Sequence, residues 1–423
     1  MRARIHWRLS GMMALLYAVQ GAFWPLLAVH LRDLGIGGRG RGWIFATMAL
    51  GSLAMPLGAG QLVDRLMPIQ RFLALVYALG TGFLVALACG VTARSDVLFV
   101  LFLVYWLLTA PASGLSNALA MRNLARPREE FGAVRLWGTV GWMAVGWLVS
   151  GAMALSGSTR AGHGAFEAFW IAAALSMVLA GYSLTLPHTQ PLAALAPGEA
   201  GPRGALELLR RREVAVFLLT AFGVYLTMPF VYQVMPTYLE ARSLPRAWIS
   251  TAMTLGQCLE IVALAALPWL LRRLGVKGTL MVGMGAWAVR FGSLALDPPL
   301  WVAVAGTLLH GVGFACFTVG GQVFIDGRAP AHRRASAQAL LVVMTSGVGT
   351  FLGNLMAGEI MSQSRGNYVP VFLIPAAINL ALLLAFARGF RPAEAGLDRP
   401  RKAEAVGGTV ARVGGLAARP AGP

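Results

Sequence analysis

The chain has 423 residues, of which 57% are hydrophobic and only 12% are charged. Soluble domains carry about 25% charged residues, so a chain of this composition cannot cover a water-facing surface. The formal net charge is +18, but the arginines stand in short gaps between apolar runs, as in the loops of membrane proteins. We therefore expect the lipid bilayer as a partner and exclude nucleic acid, which requires a basic face on a soluble domain.

Twelve apolar segments approach the roughly 20 residues that a helix needs to cross a membrane. They cover about 9–31, 43–62, 69–92, 96–120, 131–154, 165–186, 214–239, 248–271, 277–296, 299–325, 336–361 and 368–388. Gly and Pro occur inside several of them, and membrane helices tolerate both. The pattern predicts an all-α membrane protein with twelve transmembrane helices.

The segments form two sets of six, separated by a polar stretch rich in Pro and Arg. We predict an N-terminal six-helix half over 1–186, a basic cytoplasmic linker over 187–213, a C-terminal six-helix half over 214–390 and a disordered cytoplasmic tail over 391–423. Paired six-helix halves are typical of the major facilitator fold. Arg and Lys are enriched in every second loop, which predicts that both termini are cytoplasmic.

The loop after the second segment reads Gly60-Gln-Leu-Val-Asp64-Arg65. It resembles the major facilitator loop signature G-x-x-x-D-R, in which the carboxylate pairs with an arginine at a cytoplasmic helix end. This resemblance implies that Asp64 and Arg65 form a conformational latch. The alternative is an ordinary charged loop, and either interpretation concerns architecture rather than substrate.

The fifth segment carries an arginine inside an apolar helix. Arg135, Thr139 and Trp142 stand at i, i+4 and i+7, so they share one helix face. Ionisable residues within a membrane are costly and usually functional. A cation, a hydroxyl and an indole on one face suit a hydroxylated ring substrate. The alternative is that Arg135 extends to the cytoplasmic membrane surface, and the spacing leaves the two open.

Glu260, in the eighth segment, is the acidic residue nearest the middle of a predicted span. A carboxyl group at this depth can take up and release a proton, which suits a proton carrier. Gln257 shares its face and can hydrogen-bond to substrate. The alternative is a structural carboxylate paired with an arginine. The antiparallel neighbouring helix brings Arg290 to a similar depth, so a Glu260–Arg290 ion pair is our hypothesis.

His310 and Phe314 stand one turn apart in the tenth segment. The histidine can hydrogen-bond to substrate or titrate near neutral pH, and the phenylalanine can stack on a base. A histidine bonded within the helix core is the alternative. Neither this pair nor the three cysteines has a spacing typical of metal sites, so we expect no metal and no cofactor.

Several stretches together resemble the nucleoside:proton symporter family of the major facilitator superfamily. The matching runs are Arg135-Leu-Trp-Gly-Thr-Val-Gly141, Leu184-Thr-Leu-Pro-His188, Gly256-Gln-Cys-Leu-Glu260, Trp287-Ala-Val-Arg290-Phe291, Gln322-Val-Phe-Ile325 and Arg334-Ala-Ser-Ala-Gln338. The resemblance implies that Arg135, Thr139 and Trp142 bind the nucleoside, together with Gln257 and Glu260, and that Glu260 couples the proton.

In the tenth helix the resemblance implies that His310 and Phe314 line the site. Two features differ from the family pattern. The family has an aspartate directly after that phenylalanine, where this chain has Ala315. Its seventh helix carries amide side chains, whereas this chain reads Pro229-Phe-Val-Tyr232-Gln233. The missing aspartate removes a candidate proton group, and the altered seventh helix affects which base or sugar is selected.

These observations predict a secondary active transporter, not an enzyme, that takes up nucleosides with protons across the cytoplasmic membrane. We expect a monomer whose ligands are a nucleoside or similar small polar substrate and protons. A major facilitator transporter of another polar solute, such as a sugar, or an efflux carrier is the alternative. A membrane sensor or enzyme is disfavoured because the spans contain no evident cluster of catalytic groups.

Overall fold

A computed structural model describes residues 2–54, 67–157, 165–189, 207–330 and 333–391, which are helical and contain no strand. The N-terminal half contains α1 (Arg2–Phe23), α2 (Leu27–Asp33), α3 (Gly38–Ala54), α4 (Ile69–Ala88), α5 (Ser95–Asn123), α6 (Pro127–Ser156) and α7 (Phe166–Ser183). The C-terminal half contains α8 (Arg212–Thr227), α9 (Met235–Ala241), α10 (Ile249–Ala295), α11 (Leu300–Ala305), α12 (Leu309–Gly313), α13 (Gly320–Arg328), α14 (Arg334–Val342), α15 (Thr350–Gln363) and α16 (Tyr368–Gly389).

Among the described residues of the C-terminal half, three π-helical turns interrupt the helices. They are Phe230–Val234 between α8 and α9, Phe314–Val319 between α12 and α13, and Val343–Gly349 between α14 and α15. Such turns hold one residue more than an α-helical turn and are frequent at functional sites. Two of the three reach the candidate site described below.

Ten helices in the described parts of the chain are long and apolar enough to cross a membrane. One candidate span, Arg246–Ala295, is much longer than a bilayer requires and contains Gly275, whose φ of 64° and ψ of 179° are not helical. The parts of α10 on either side of Gly275 lie against the same short helix, because α12 contacts both Glu260 and Trp287. They therefore run side by side, as the sequence predicts for segments 248–271 and 277–296.

The helices pack into one bundle in which the two halves are in contact. In the N-terminal half α1 packs against α6 and α7, and α4 packs against α7. In the C-terminal half α10 packs against α12 and α16. The halves meet where α3 lies along α15 and α6 lies along α10. The first of these contacts carries a bidentate ion pair, in which Arg39 donates to Glu359 at 2.5 and 2.8 Å.

Helices α10 and α12 approach each other closely at Gly311. A Cβ atom at this position would lie 2.2 Å from the backbone nitrogen of Glu260 and 2.4 Å from the carbonyl oxygen of Gly256. Backbone atoms cannot move away as a side chain can, so only glycine permits this separation. The contact fixes the height of Glu260 relative to His310, the residue before Gly311.

We expect Gly311→Ala to destabilise the protein by about 1–3 kcal/mol, the usual range for overpacking a tight core. Alanine has the better helix propensity by about 1 kcal/mol, so the loss reflects the forced separation of α10 and α12. Thermal unfolding of purified protein in detergent measures the effect. Gly292→Ala is the matched control, because a Cβ atom there has no neighbour within 4 Å. Equal melting temperatures for the two variants would contradict the prediction.

Candidate functional site: a central cavity between the two halves

A cavity of about 220 Å³ lies between the two halves of the bundle. It is lined by Tyr17 and Gln20 from α1, Arg135, Gly138, Thr139 and Trp142 from α6, Tyr232 from the first π turn, Gln257 and Glu260 from α10, His310 from α12, and Phe314 from the second π turn. The structure thus brings together all seven residues that the sequence predicts to bind substrate. Their part in binding stays a prediction.

Helix α6 presents its predicted face to the cavity, and Arg135 is held there by an aromatic ring. The guanidinium carbon of Arg135 lies 4.0 Å from the centre of the Tyr17 ring, a cation–π contact. Gly138 makes room for it, since a Cβ atom there would lie 2.6 Å from Tyr17 and 2.7 Å from Nη1 of Arg135. Arg135 therefore faces the cavity, and the alternative in which it extends to the membrane surface is not adopted.

Helix α10 contributes the carboxylate of the site. Gln257 is buried and Glu260 partly buried, and both line the cavity wall. Arg135 is the charge that acts on Glu260, although the two form no ion pair within 4.0 Å. A cation and a carboxylate on opposite halves of the chain thus line the same cavity.

Aromatic side chains lie around the His310 ring. Its ring lies 4.9 Å from that of Trp287 in an edge contact and 6.3 Å from that of Phe314 in a stacked one. The ring of Tyr232 lies 6.1 Å from Trp142, which joins this cluster to α6. Within the described residues, Nδ1 of His310 has no hydrogen-bond partner, which disfavours the alternative of a histidine bonded within the helix core.

The hypothesis of a Glu260–Arg290 ion pair is wrong for this conformation. Arg290 is 1% exposed and lies over the Trp287 ring at 5.5 Å, and its Nε and Nη1 atoms have no hydrogen-bond partner in the described part of the chain. The antiparallel arrangement brings the two residues to a similar depth, as predicted. Depth alone does not fix direction, however: Glu260 lines the cavity, whereas Arg290 lies over Trp287 and neither of these two lines it.

Three polar residues of the wall were not predicted from the sequence. Tyr17 and Gln20 stand at i and i+3 on α1 and so share a face, and in a segment with few polar residues this spacing could have indicated them. Tyr232 belongs to a π turn, where helical periodicity fails. Its hydroxyl is within electrostatic reach of both Glu260, which lines the cavity, and Arg290, which does not.

A network of buried charges joins the halves at the end of α2, away from the N-terminus of α1. Arg246 donates to Asp33 at 2.5 Å and to Glu240 at 2.7 Å, and Arg32 pairs with the same two carboxylates. The Arg246 side chain is fully buried and that of Asp33 is 3% exposed. These four residues, which we call the interhalf ion network, connect α2 to α9 and to the short 3-10 helix Arg246–Trp248 that precedes α10.

Comparison with known proteins identifies the family. A family model described as "Nucleoside H+ symporter" matches residues 3–395. The chain belongs to the nucleoside H+ symporter family. Two similar relatives from Escherichia coli (strain K12) are the putative nucleoside transporter YegT, 29% identical over 86% of each chain, and the xanthosine permease, 26% identical over 91% of this chain and 95% of the permease.

A crystal structure of the nucleoside transporter NupG matches this nucleoside H+ symporter with a TM-score of 0.80 and 24% identity, covering 92% of this chain and 99% of that one. The match confirms the major facilitator fold of the described helices. The relatives are transporters and permeases, which confirms a transporter rather than an enzyme. Family membership likewise confirms the prediction of proton-coupled nucleoside uptake.

Some predictions concern parts of this symporter that the structure does not describe. Asp64 and Arg65, the predicted latch, lie in the gap between residues 54 and 67. Most of the linker and nearly all of the tail also lie outside the described residues. Within the described residues, no group of three or more His, Cys, Asp or Glu side chains is arranged to hold a metal ion.

Proposed function

We propose that this chain imports nucleosides with protons by exposing the central cavity alternately to the two sides of the membrane. The observation that carries the proposal is the position of Glu260 on the cavity wall, within electrostatic reach of Arg135 on the other half. Family membership and relatives described as nucleoside transporters support the substrate class. The xanthosine permease extends that class to an oxidised purine.

Each side chain on the cavity wall suits one part of a nucleoside. The rings of Trp142 and Phe314 offer apolar faces on which a base can stack. The Thr139 hydroxyl and the Gln257 amide can both donate and accept hydrogen bonds, as ribose hydroxyls do. Arg135, already positioned by its stacking on Tyr17, can donate two parallel hydrogen bonds to substrate oxygens with little loss of entropy.

Glu260 couples the proton by competing with substrate for Arg135. While Glu260 is ionised, its charge attracts the guanidinium, and a substrate must displace that attraction. When Glu260 takes up a proton, Arg135 becomes available to substrate. Proton and nucleoside therefore favour the same loaded state of the protein, which is the thermodynamic requirement for symport.

The interhalf ion network closes the cavity toward the outside in the conformation described. It lies at the end of α2, where the first span ends, which is the outer side of the membrane if the N-terminus is cytoplasmic. Opening toward the outside requires that Arg246 leave Asp33 and that Arg32 leave Glu240, because the two residues of each pair belong to different halves. Rocking of one half against the other then exposes the cavity, as in other transporters built from paired halves.

The proposal includes the finer topology. We propose twelve transmembrane helices, counting α10 as two spans around Gly275 and α3 as one span, in halves over 1–186 and 214–390 joined by the linker 187–213. Both termini, including the tail 391–423, are cytoplasmic, and the membrane is the cytoplasmic (inner) one. The protein acts as a monomer, since one chain supplies the whole cavity wall.

Uptake of labelled uridine and adenosine into proteoliposomes, with and without an inward proton gradient, tests the proposed function. Accumulation against the nucleoside gradient only when protons flow inward is the expected result. Equilibration without accumulation would replace symport by facilitated diffusion. The absence of any nucleoside uptake in a correctly oriented preparation would overturn the substrate class.

Replacing Trp142 tests whether its indole ring binds the nucleoside base. We expect Trp142→Ala to raise the KM for uridine about tenfold, since an aromatic stacking contact contributes about 0.5–1.5 kcal/mol beyond its buried area. The matched control is Trp269→Ala, because Trp269 on α10 is 53% exposed and does not line the cavity. An unchanged KM in Trp142→Ala would place the base elsewhere in the cavity.

A further inference from the structure

We propose that the cavity prefers nucleosides whose base carries a negative charge, and that the buried Arg290 sets this preference. The proposal deepens the proposed function and rests on it, because it concerns the substrate of the same site. It follows from the charges on the cavity wall and in the layer directly behind it.

The wall of the cavity by itself is balanced in charge. Among the side chains that line it, Arg135 and Glu260 are the two that are ordinarily charged at neutral pH. One cation and one carboxylate cancel, so a neutral ligand would be sufficient if no other charge acted on the cavity.

Arg290 adds one positive charge next to the cavity wall. It is 1% exposed, its Nε and Nη1 atoms have no hydrogen-bond partner among the described residues, and no carboxylate there lies within ion-pairing distance. Its nearest aromatic contact is Trp287, at 5.5 Å, which supplies only a weak cation–π interaction. A buried charge without a counter-charge is strongly destabilising, so Arg290 favours any anion that approaches it.

Arg290 is linked to the cavity wall through Trp287. It lies over the Trp287 ring at 5.5 Å, and that ring lies 4.9 Å from His310, which lines the cavity. Arg290 also acts electrostatically on Tyr232 and His310. Charges are screened far less in a protein interior than in water. The surroundings of the cavity therefore carry one excess positive charge when Glu260 is ionised and two when it has taken up a proton.

The remaining wall residues restrict the kind of anion. Trp142 and Phe314 offer flat apolar faces, which suit a ring and not a small inorganic anion. A charge delocalised over a base, or a carboxylate attached to one, satisfies both the rings and the excess charge. The excess positive charge is present in both protonation states of Glu260, and a cavity of about 220 Å³ favours a nucleoside over a bulkier nucleotide.

Equilibrium binding to the purified protein, without a proton gradient, tests the preference with two matched pairs of ligands. The pairs are uridine with 5-carboxyuridine and inosine with xanthosine, whose base ionises near neutral pH. At pH 7.5 we expect the charged member of each pair to bind about tenfold tighter or more, which corresponds to about 1.4 kcal/mol. Equal or weaker binding of both charged members would overturn the inference.

The pH dependence of binding shows whether the preference comes from the charge of the ligand or from its shape. Tyr17, Arg135, Tyr232, Glu260 and His310 are the ionisable or charged side chains on the cavity wall, and any change in the charge of the protein acts on both pairs of ligands. Acidification that neutralises xanthosine but leaves 5-carboxyuridine ionised should remove the preference in the purine pair alone. Loss of both preferences, or of neither, would contradict the inference.

Substitution of Arg290 assigns the preference to that residue. We expect Arg290→Gln to lower the charged-to-neutral affinity ratio about tenfold while changing uridine affinity by less than about threefold, and Arg290→Lys to keep most of the ratio. An unchanged charged-to-neutral affinity ratio in Arg290→Gln would overturn the role of Arg290. If that variant does not fold, Arg290→Lys is decisive: loss of the ratio in this variant, with unchanged pH profiles of the ligands, would overturn the role as well. Binding of neutral but not of charged nucleosides would sink this inference alone, whereas binding of neither would sink the proposed function.

Discussion

Glu260→Gln is expected to abolish proton-driven accumulation of nucleoside while leaving exchange across the membrane intact. Glutamine keeps the shape and hydrogen-bonding capacity of glutamate but cannot carry a proton. One pH unit corresponds to about 1.36 kcal/mol, so one proton per nucleoside permits about 100-fold accumulation at a gradient of two pH units. The variant should reach a ratio of about 1, measured with labelled uridine in proteoliposomes.

Two comparisons make this result specific to Glu260. Exchange of labelled for unlabelled uridine requires no net proton movement, so it should persist in Glu260→Gln and show that the variant is folded and binds substrate. Asp96→Asn is the control, because Asp96 pairs with Arg94 at the exposed start of α5 and its side chain is 65% exposed. Accumulation at the wild-type level in Glu260→Gln would assign the proton to another group.

Arg246→Met is expected to shift the protein strongly toward the conformation that is open to the outside. The substitution leaves Asp33 and Glu240 close together with Arg32 as their remaining partner in the interhalf ion network. Breaking a buried ion pair by removing one partner costs about 3–5 kcal/mol, and this cost falls on the state in which the network is formed. A shift of that size changes the ratio of the two states more than 100-fold.

The shift is measurable with a cysteine introduced at Thr139 on the cavity wall, in a background without the natural cysteines Cys89, Cys258 and Cys316. A membrane-impermeant maleimide added from outside should label this position far faster in Arg246→Met than in the wild-type background. Arg94→Met is the control, since the Arg94–Asp96 pair is exposed to solvent and such pairs contribute at most about 1 kcal/mol. Unchanged labelling in Arg246→Met would mean that the network does not hold the cavity closed.

Most of the candidate site could be predicted because its chemistry depends on short-range spacing. Arg135, Thr139 and Trp142 share a helix face regardless of how the helices pack. A carboxylate at the middle of a span, such as Glu260, is costly and therefore points to function. The structure adds that these faces converge on one cavity. Residue spacing cannot establish that, because convergence depends on how α6 packs against α10.

The features that the sequence did not predict depend on contacts between distant parts of the chain. The interhalf ion network joins Arg32 to Glu240 across 208 positions, and nothing local distinguishes these residues from other charges at helix ends. The proposed Glu260–Arg290 pair failed for a related reason. The fold-back of α10 sets the depth of both residues, but Glu260 lines the cavity while Arg290 lies over Trp287, which packs against Gly313 of α12.

The three π turns of the C-terminal half bear on how this protein can change over evolutionary time. Each holds one residue more than an α-helical turn, so deleting a single codon within it would restore regular helix there while the helical segments on either side keep their orientation. Tyr232 and Phe314 lie within two of these turns. An insertion or deletion of one codon can therefore exchange the side chains that face the cavity without moving the helix ends. On α6, where no such turn interrupts Pro127–Ser156, the cavity face can change only by substitution.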